Sequence, residues 1–97
     1  MEKNFCVYIL TNKNNNVFYV GVTSDLIKRI YEHKNHLIKG CFTDRYNIEK
    51  LVYYESNMDA ETSIKREKYI KGKSRQYKTD LILKDNPEFE DLYLKLF

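Results

Sequence analysis

Tryptophan is absent from this chain, proline occurs once, and glycine and cysteine are scarce. Each scarcity excludes something. A single proline, Pro87, rules out a polyproline tract or a proline-rich linker. Cys6 and Cys41 cannot build a disulfide framework of the secreted kind, and neither has the CxxC or Cys/His spacing of a zinc site. Both are expected as free thiols in a reducing cytoplasm. No apolar run is long enough for a transmembrane helix. The start, Met1-Glu2-Lys3-Asn4, lacks the apolar core of a signal peptide.

What is present points to a globular domain. The 97 residues are 42% hydrophobic and 32% charged, which suits one soluble domain (1–97) with a modest core rather than a disordered chain. The net charge of +3 hides an uneven distribution. Lys65, Arg66, Lys68, Lys71, Lys73, Arg75 and Lys78 crowd one stretch and interleave with Tyr69 and Tyr77. Such a block suits a polyanion, although on charge alone it equally suits a solvated helix face.

Asn4 to Thr11 is aromatic and aliphatic and predicts a strand. Asn12 to Asn16 predicts a turn, because asparagine tolerates left-handed backbone. Val17 to Val22 completes a hairpin whose strands carry apolar residues on both faces, so the sheet should be covered on both sides. Thr23 or Ser24 should cap a helix running to about Ile38, with Asp25 in its first turn. Gly40 to Thr43 breaks that helix, and a loop or short turn runs to Glu49. Leu51 to Glu55 predicts a third strand. A helix capped by Asn57 or Asp59 should stop near Gly72. Another starts at Ser74 and ends before Asn86-Pro87. The tail 86–97 is apolar enough to pack back as a short helix. The order is β-β-α-β-α-α, an α/β chain of the α+β kind.

Glu67 stands out. At about 100° per residue, Ala60, Ser63, Ile64 and Ile70 share one helix face, and Glu67 falls among them. A carboxylate on an apolar face costs free energy unless it is paired or binds a metal. In the hairpin, an even loop would place Tyr8 opposite Gly21 and Leu10 opposite Tyr19, with both tyrosines on one face. An odd loop would separate them. Gly21 inside a strand marks a bulge or a close approach by a ligand. On the first helix, Leu26, Ile27, Ile30, Tyr31, Leu37 and Ile38 should form the core stripe. Arg29, His33 and His36 should line its edge, with Arg29 and His33 an i,i+4 pair. An edge guanidinium can clamp a phosphate, and a nearby histidine can relay protons.

Val7-Tyr8-Ile9 and Tyr19-Val20-Gly21, Arg29 ten residues after Tyr19, His33 one turn on, and Glu67 followed by Ile70-Lys71 together resemble the GIY-YIG nuclease superfamily. Val7 stands where that motif has its first glycine, and Val22 where excision-repair relatives carry a lysine. The run Ile64 to Gly72 is especially similar to the small stand-alone bacterial branch of the UPF0213 type. The resemblance covers roughly residues 4 to 85. It implies a small three-stranded antiparallel sheet flanked by helices, and a metal-dependent endonuclease. The substrate would be DNA, selected by structure rather than sequence, in repair or recombination. It further implies Tyr19 as general base or water activator, assisted by Tyr8 or His33, with the tyrosine pKa of ~10 lowered by Arg29 and the metal. Arg29 would stabilise phosphoryl charge, and Glu67 would hold Mg²⁺ or Mn²⁺. Gly21, Lys65, Lys68, Lys71, Lys73 and Arg75 would meet the nucleic acid. No membrane contact is implied, and a monomer is the default. The alternative is a nucleic-acid-binding module of the same fold with little or no turnover. A protein-interaction scaffold is the remaining reading.

Overall fold

The computed structural model describes residues 5–57 and 59–97. The expected strand start at Asn4 lies outside them. Three strands, β1 (Phe5–Thr11), β2 (Phe18–Thr23) and β3 (Lys50–Asn57), form an antiparallel sheet in the order β2-β1-β3. The β1–β2 loop is even, so Tyr8 pairs with Gly21 and Leu10 with Tyr19. The loop turns through Asn15, whose φ is 56°.

Side chains alternate across a strand, so the central strand β1 feeds two cores. Val7 and Ile9 pack with Val20, Val52, Tyr53, Ile70 and Ile82 on one face. Tyr8 and Leu10 pack with Ile30, Ile48 and Leu51 on the other. The sheet is covered on both sides, as the apolar character of both strand faces predicts.

Helix α3 (Ala60–Lys71) lies across the first face and is capped by Asp59, which accepts from the backbone of Thr62 at 2.7 Å. Helix α4 (Arg75–Asp85) follows, with Ser74 as its cap. Helix α1 (Leu26–Lys34) covers the second face. Its cap is Asp25, not Thr23 or Ser24, because the Asp25 carboxylate accepts from the Lys28 amide at 3.2 Å. Helix α1 also ends at Lys34, short of Ile38. His36 takes left-handed backbone with φ 53°, and the chain turns away. Leu37 is left 57% exposed, and Ile27 and Tyr31 also face outward. The buried stripe of α1 therefore narrows to Ile30 and His33. His33 belongs to the core rather than to its edge.

The expected loop after α1 contains a one-turn helix, α2 (Phe42–Arg45). The tail returns as expected. Leu92, Tyr93 and Leu96 pack on the second core, and the Leu92 amide donates to the Leu51 carbonyl at 2.7 Å. A 3-10 turn, Tyr93–Leu96, closes the chain. Asn86 is buried and anchors this return by donating to the carbonyls of Val52 and Glu90 at 3.0 and 2.9 Å.

His36 ties α2 and the entry to β3 onto α1. Its Nδ1 lies 2.8 Å from Asp44 and its Nε2 2.7 Å from Glu49. The hydrogen bond to Asp44, then that to Glu49, raises its pKa above the ordinary value of 6.5. A raised folded pKa stabilises fully below the unfolded value and fades as pH rises through the folded one. His36→Asn keeps a side chain that tolerates left-handed backbone. Its melting temperature should trail wild type below about pH 6.5 and converge with it well above that pH. A gap constant across this range would show that the two ion pairs contribute nothing.

Candidate active site at the edge of β2

The site is built on the face of β1 and β2 that carries Tyr8, Tyr19 and Gly21. Tyr8 is fully buried. A Cβ on Gly21 would stand 2.5 Å from the Tyr8 Cζ and Oη atoms. The space above the glycine is therefore taken by the Tyr8 phenol, where the sequence suggests the approach of a ligand. Two rings, those of Tyr19 and His33, flank that phenol. Tyr8 and Tyr19 centroids are 6.3 Å apart, Tyr8 and His33 6.1 Å, and Tyr19 and His33 5.7 Å. Tyr19 is half-buried and can meet a substrate, whereas Tyr8 cannot.

His33 holds its buried place through both ring nitrogens. Nε2 lies 3.3 Å from the Tyr8 hydroxyl and Nδ1 2.8 Å from the Thr43 hydroxyl. Burial first, then the charge of Arg29, lowers the His33 pKa, with Glu32 opposing. His33 is therefore neutral at neutral pH. Burial, then Tyr19, raises the Tyr8 pKa, and nearby Arg29 only partly offsets this. At Tyr8 the pull of Arg29 toward the phenolate is present, but desolvation of the buried ring outweighs that one half-exposed guanidinium.

Arg29 reaches the site from α1 and also contacts Glu32, Nε to Oε1 at 3.4 Å. Glu67 reaches it from α3, on the other face of the sheet. β2 is an edge strand, and a cavity of about 240 Å³ at that edge is lined by Val22, Arg29, Ala60 and Ile64. Glu67's charge contributes to raising the Tyr8 pKa, which places it close by. Its side chain is only 13% exposed, although neighbouring Ile64 is 43% exposed. Lys71 Nζ stands 3.0 Å from Glu67 Oε1 and 6.0 Å from the Tyr19 ring centre. That lysine is out of line for a hydrogen bond, so the buried Oε1 has a counter-charge but no donor. Among the described residues no cluster of three or more His, Cys, Asp or Glu side chains forms a metal cage. One carboxylate, paired here with an exposed lysine, fits a hard cation that keeps its waters, and does not fit zinc.

The basic block divides. Lys65 pairs with Glu61 at 3.2 Å, and Lys73 lies over the rings of Tyr69 and Tyr77 at 4.5 and 5.9 Å. Lys68 and Lys71 are exposed on α3. Arg75 is exposed on α4 and donates to the carbonyls of Asn16 and Asn15 at 2.7 and 3.1 Å, so its guanidinium also holds the hairpin loop. Arg66 binds Glu55 at 2.6 Å.

Residues that sequence reasoning missed come from α2. Thr43 buttresses His33, and Phe42 stacks beside Tyr19 with centroids 6.5 Å apart. Nothing in the local sequence marks them, since the His36 turn alone brings α2 back over α1.

Residues 4–80 match the GIY-YIG catalytic domain. The chain belongs to the GIY-YIG family. A UPF0213 protein from Syntrophus aciditrophicus (strain SB) is 38% identical over 88 residues, covering 91% of this chain and 98% of its own. The UPF0213 protein ORF82 of Orgyia pseudotsugata multicapsid polyhedrosis virus is 30% identical over 93 residues, covering 96% and 88%. A solution NMR structure of a UPF0213 protein from Bacillus halodurans superposes with a TM-score of 0.57 at 27% identity, covering 91% of this chain and 92% of that one. GIY-YIG membership carries a nuclease-type activity on nucleic acid, and the UPF0213 relatives set the branch. Among the described residues no helix is long and apolar enough to cross a membrane.

Two stability measurements test this geometry. Gly21→Ala should lose about 1–3 kcal/mol in urea unfolding, because the enclosed Tyr8 ring must move. A variant as stable as wild type would mean that the ring has room. Glu67→Ala should stay within about 1 kcal/mol of wild type, since its partner Lys71 is 58% exposed and such pairs contribute little. A loss of about 3–5 kcal/mol would instead mark a buried structural ion pair.

Proposed function

We propose that this chain is a divalent-metal-dependent endonuclease that hydrolyses phosphodiester bonds in DNA. The observation that carries the reading is the packing of Tyr19 against the hydrogen-bonded Tyr8–His33 pair, with the charges of Arg29 and Glu67 both felt at Tyr8. Tyr19 is assigned the contact with the attacking water, because it is the phenol that reaches solvent. Tyr8 and His33 lie behind it as a neutral pair that can take up charge, the proton coming to rest on His33 Nε2. Arg29 stabilises the charge that develops on the phosphate. Glu67 would hold Mg²⁺ or Mn²⁺, which supplies Lewis-acid polarisation of the phosphate when bound. Lys65, Lys68, Lys71 and Lys73 follow the backbone, giving salt-sensitive binding that favours DNA structure over sequence. A role in repair or recombination, in the cytoplasm and as a monomer, fits this reading.

The alternative, a binding module with little turnover, takes its support from the Arg29–Glu32 and Lys71–Glu67 contacts, which occupy two groups the reaction needs. Purified protein should be incubated with supercoiled plasmid, single-stranded DNA and a branched duplex, with Mg²⁺, Mn²⁺ or chelator. Cleavage should require the metal, and Arg29→Ala and Glu67→Ala should each lower it about 10²-fold or more while retaining binding in a gel shift. Intact binding with no cleavage by wild type would select the binding module.

A further inference from the structure

His33 is the first of a row of hydrogen-bonding groups that runs away from the site into α2. Its Nδ1 is 2.8 Å from Thr43 Oγ1, Thr43 Oγ1 is 3.1 Å from Cys41 Sγ, and Cys41 Sγ is 3.0 Å from the carbonyl oxygen of Ile38. The row has one end that cannot be reversed. A carbonyl oxygen only accepts, so Cys41 must spend its single proton on Ile38. Its sulfur then faces Thr43 as an acceptor, and the Thr43 hydroxyl proton goes to it. The Thr43 oxygen is left to accept, so His33 Nδ1 must carry a proton. In a neutral imidazole only one nitrogen does, so Nε2 presents a lone pair. Burial keeps the ring neutral, as described above. Tyr8 then donates its hydroxyl proton to Nε2 across 3.3 Å.

We infer that Thr43, backed by Cys41, is a positioning residue that holds His33 in its Nδ1–H tautomer, so that Nε2 is the basic nitrogen facing Tyr8. Its catalytic consequence rests on the nuclease reading, but the tautomer does not. The bookkeeping of the proton is simple. When Tyr8's proton moves to Nε2, the O–H bonding pair stays on Tyr8 Oη, where Arg29 is close. The imidazolium keeps its Nδ1–H bond to Thr43, so nothing else in the row has to rearrange. With the opposite tautomer Nε2 would already be occupied, and Tyr8 could only accept.

The decisive measurement is a long-range ¹H–¹⁵N correlation spectrum of the ¹⁵N-labelled protein at neutral pH. Wild-type His33 should show a pyrrole-like Nδ1 and a pyridine-like Nε2. Thr43→Val should move it toward the Nε2–H form, and Thr43→Ser should restore the wild-type pattern. Cys41→Ala, which removes the acceptor behind Thr43, should give a mixture and serves if Thr43→Val does not fold. A wild-type Nε2–H pattern, or a folded Thr43→Val with an unchanged spectrum, would overturn the inference. In the cleavage assay Thr43→Val should lower kcat about 10²-fold with KM unchanged, and Thr43→Ser should recover it. A moved tautomer with unchanged kcat would remove the catalytic role of Thr43. Absence of wild-type cleavage would count against the nuclease reading, while the spectrum still decides the tautomer.

Discussion

The close seating of Tyr8 against Gly21 is the contact on which the site depends. β1 is the central strand, so its middle residues Val7 to Leu10 are each enclosed by one core or the other. A phenol there must find both room and hydrogen-bond partners, because an unpaired hydroxyl in such surroundings is costly. The paired strand supplies the room by having no side chain at the opposite position. His33 supplies the partner. With the Tyr8 ring fixed, Tyr19 and His33 have only limited freedom to rearrange around it.

Burial then sets the charge state of this group. It disfavours the phenolate of Tyr8 and the imidazolium of His33 alike, so the pair rests neutral. Arg29 acts on both in a consistent direction, easing the phenolate and further opposing the imidazolium. A proton transfer from Tyr8 to His33 would have to work against burial on both rings. Any anionic phosphate drawn to Arg29 would weaken that guanidinium's hold on His33 and make the imidazolium easier to form.

The edge position of β2 does the remaining work of assembly. Arg29 and Glu67 belong to helices on opposite faces of the sheet, and a wider sheet would keep them apart. Around an edge strand the charges of both are felt at Tyr8, Arg29 easing its phenolate and Glu67 opposing it. The same edge leaves Tyr19 accessible and lets Lys71 reach toward its ring. The cationic surface on α3, with Tyr69 and Tyr77 exposed or half-exposed beside Lys73, adjoins this edge.

Much of this was legible in the residues. Alternation of apolar residues placed the hairpin and the doubly covered sheet, because strand periodicity is local, while the choice between an even and an odd loop came from the structure. Helical spacing placed Glu67 on a buried face, and it is buried there. The same logic failed along α1. Leu37 and Ile38 continue the apolar spacing, but the helix stops before them because His36 is captured by Asp44 and Glu49, residues distant in sequence. That capture also folds α2 onto α1, buries His33 and brings Thr43 and Phe42 to the site, none of which has a local signature. The tie of Arg75 to the hairpin is likewise a long-range event, since its partners are carbonyls of the β1–β2 loop. From local pattern alone come most of the strands and helices, the hairpin, and the singling out of Tyr8, Tyr19, Arg29, His33 and Glu67 as candidates. Only the tertiary structure decided which of them are sealed from water, which way their pKa values move, and which neighbours hold them. Desolvation and hydrogen-bond partnership depend on segments far apart in the chain, and no local pattern encodes them.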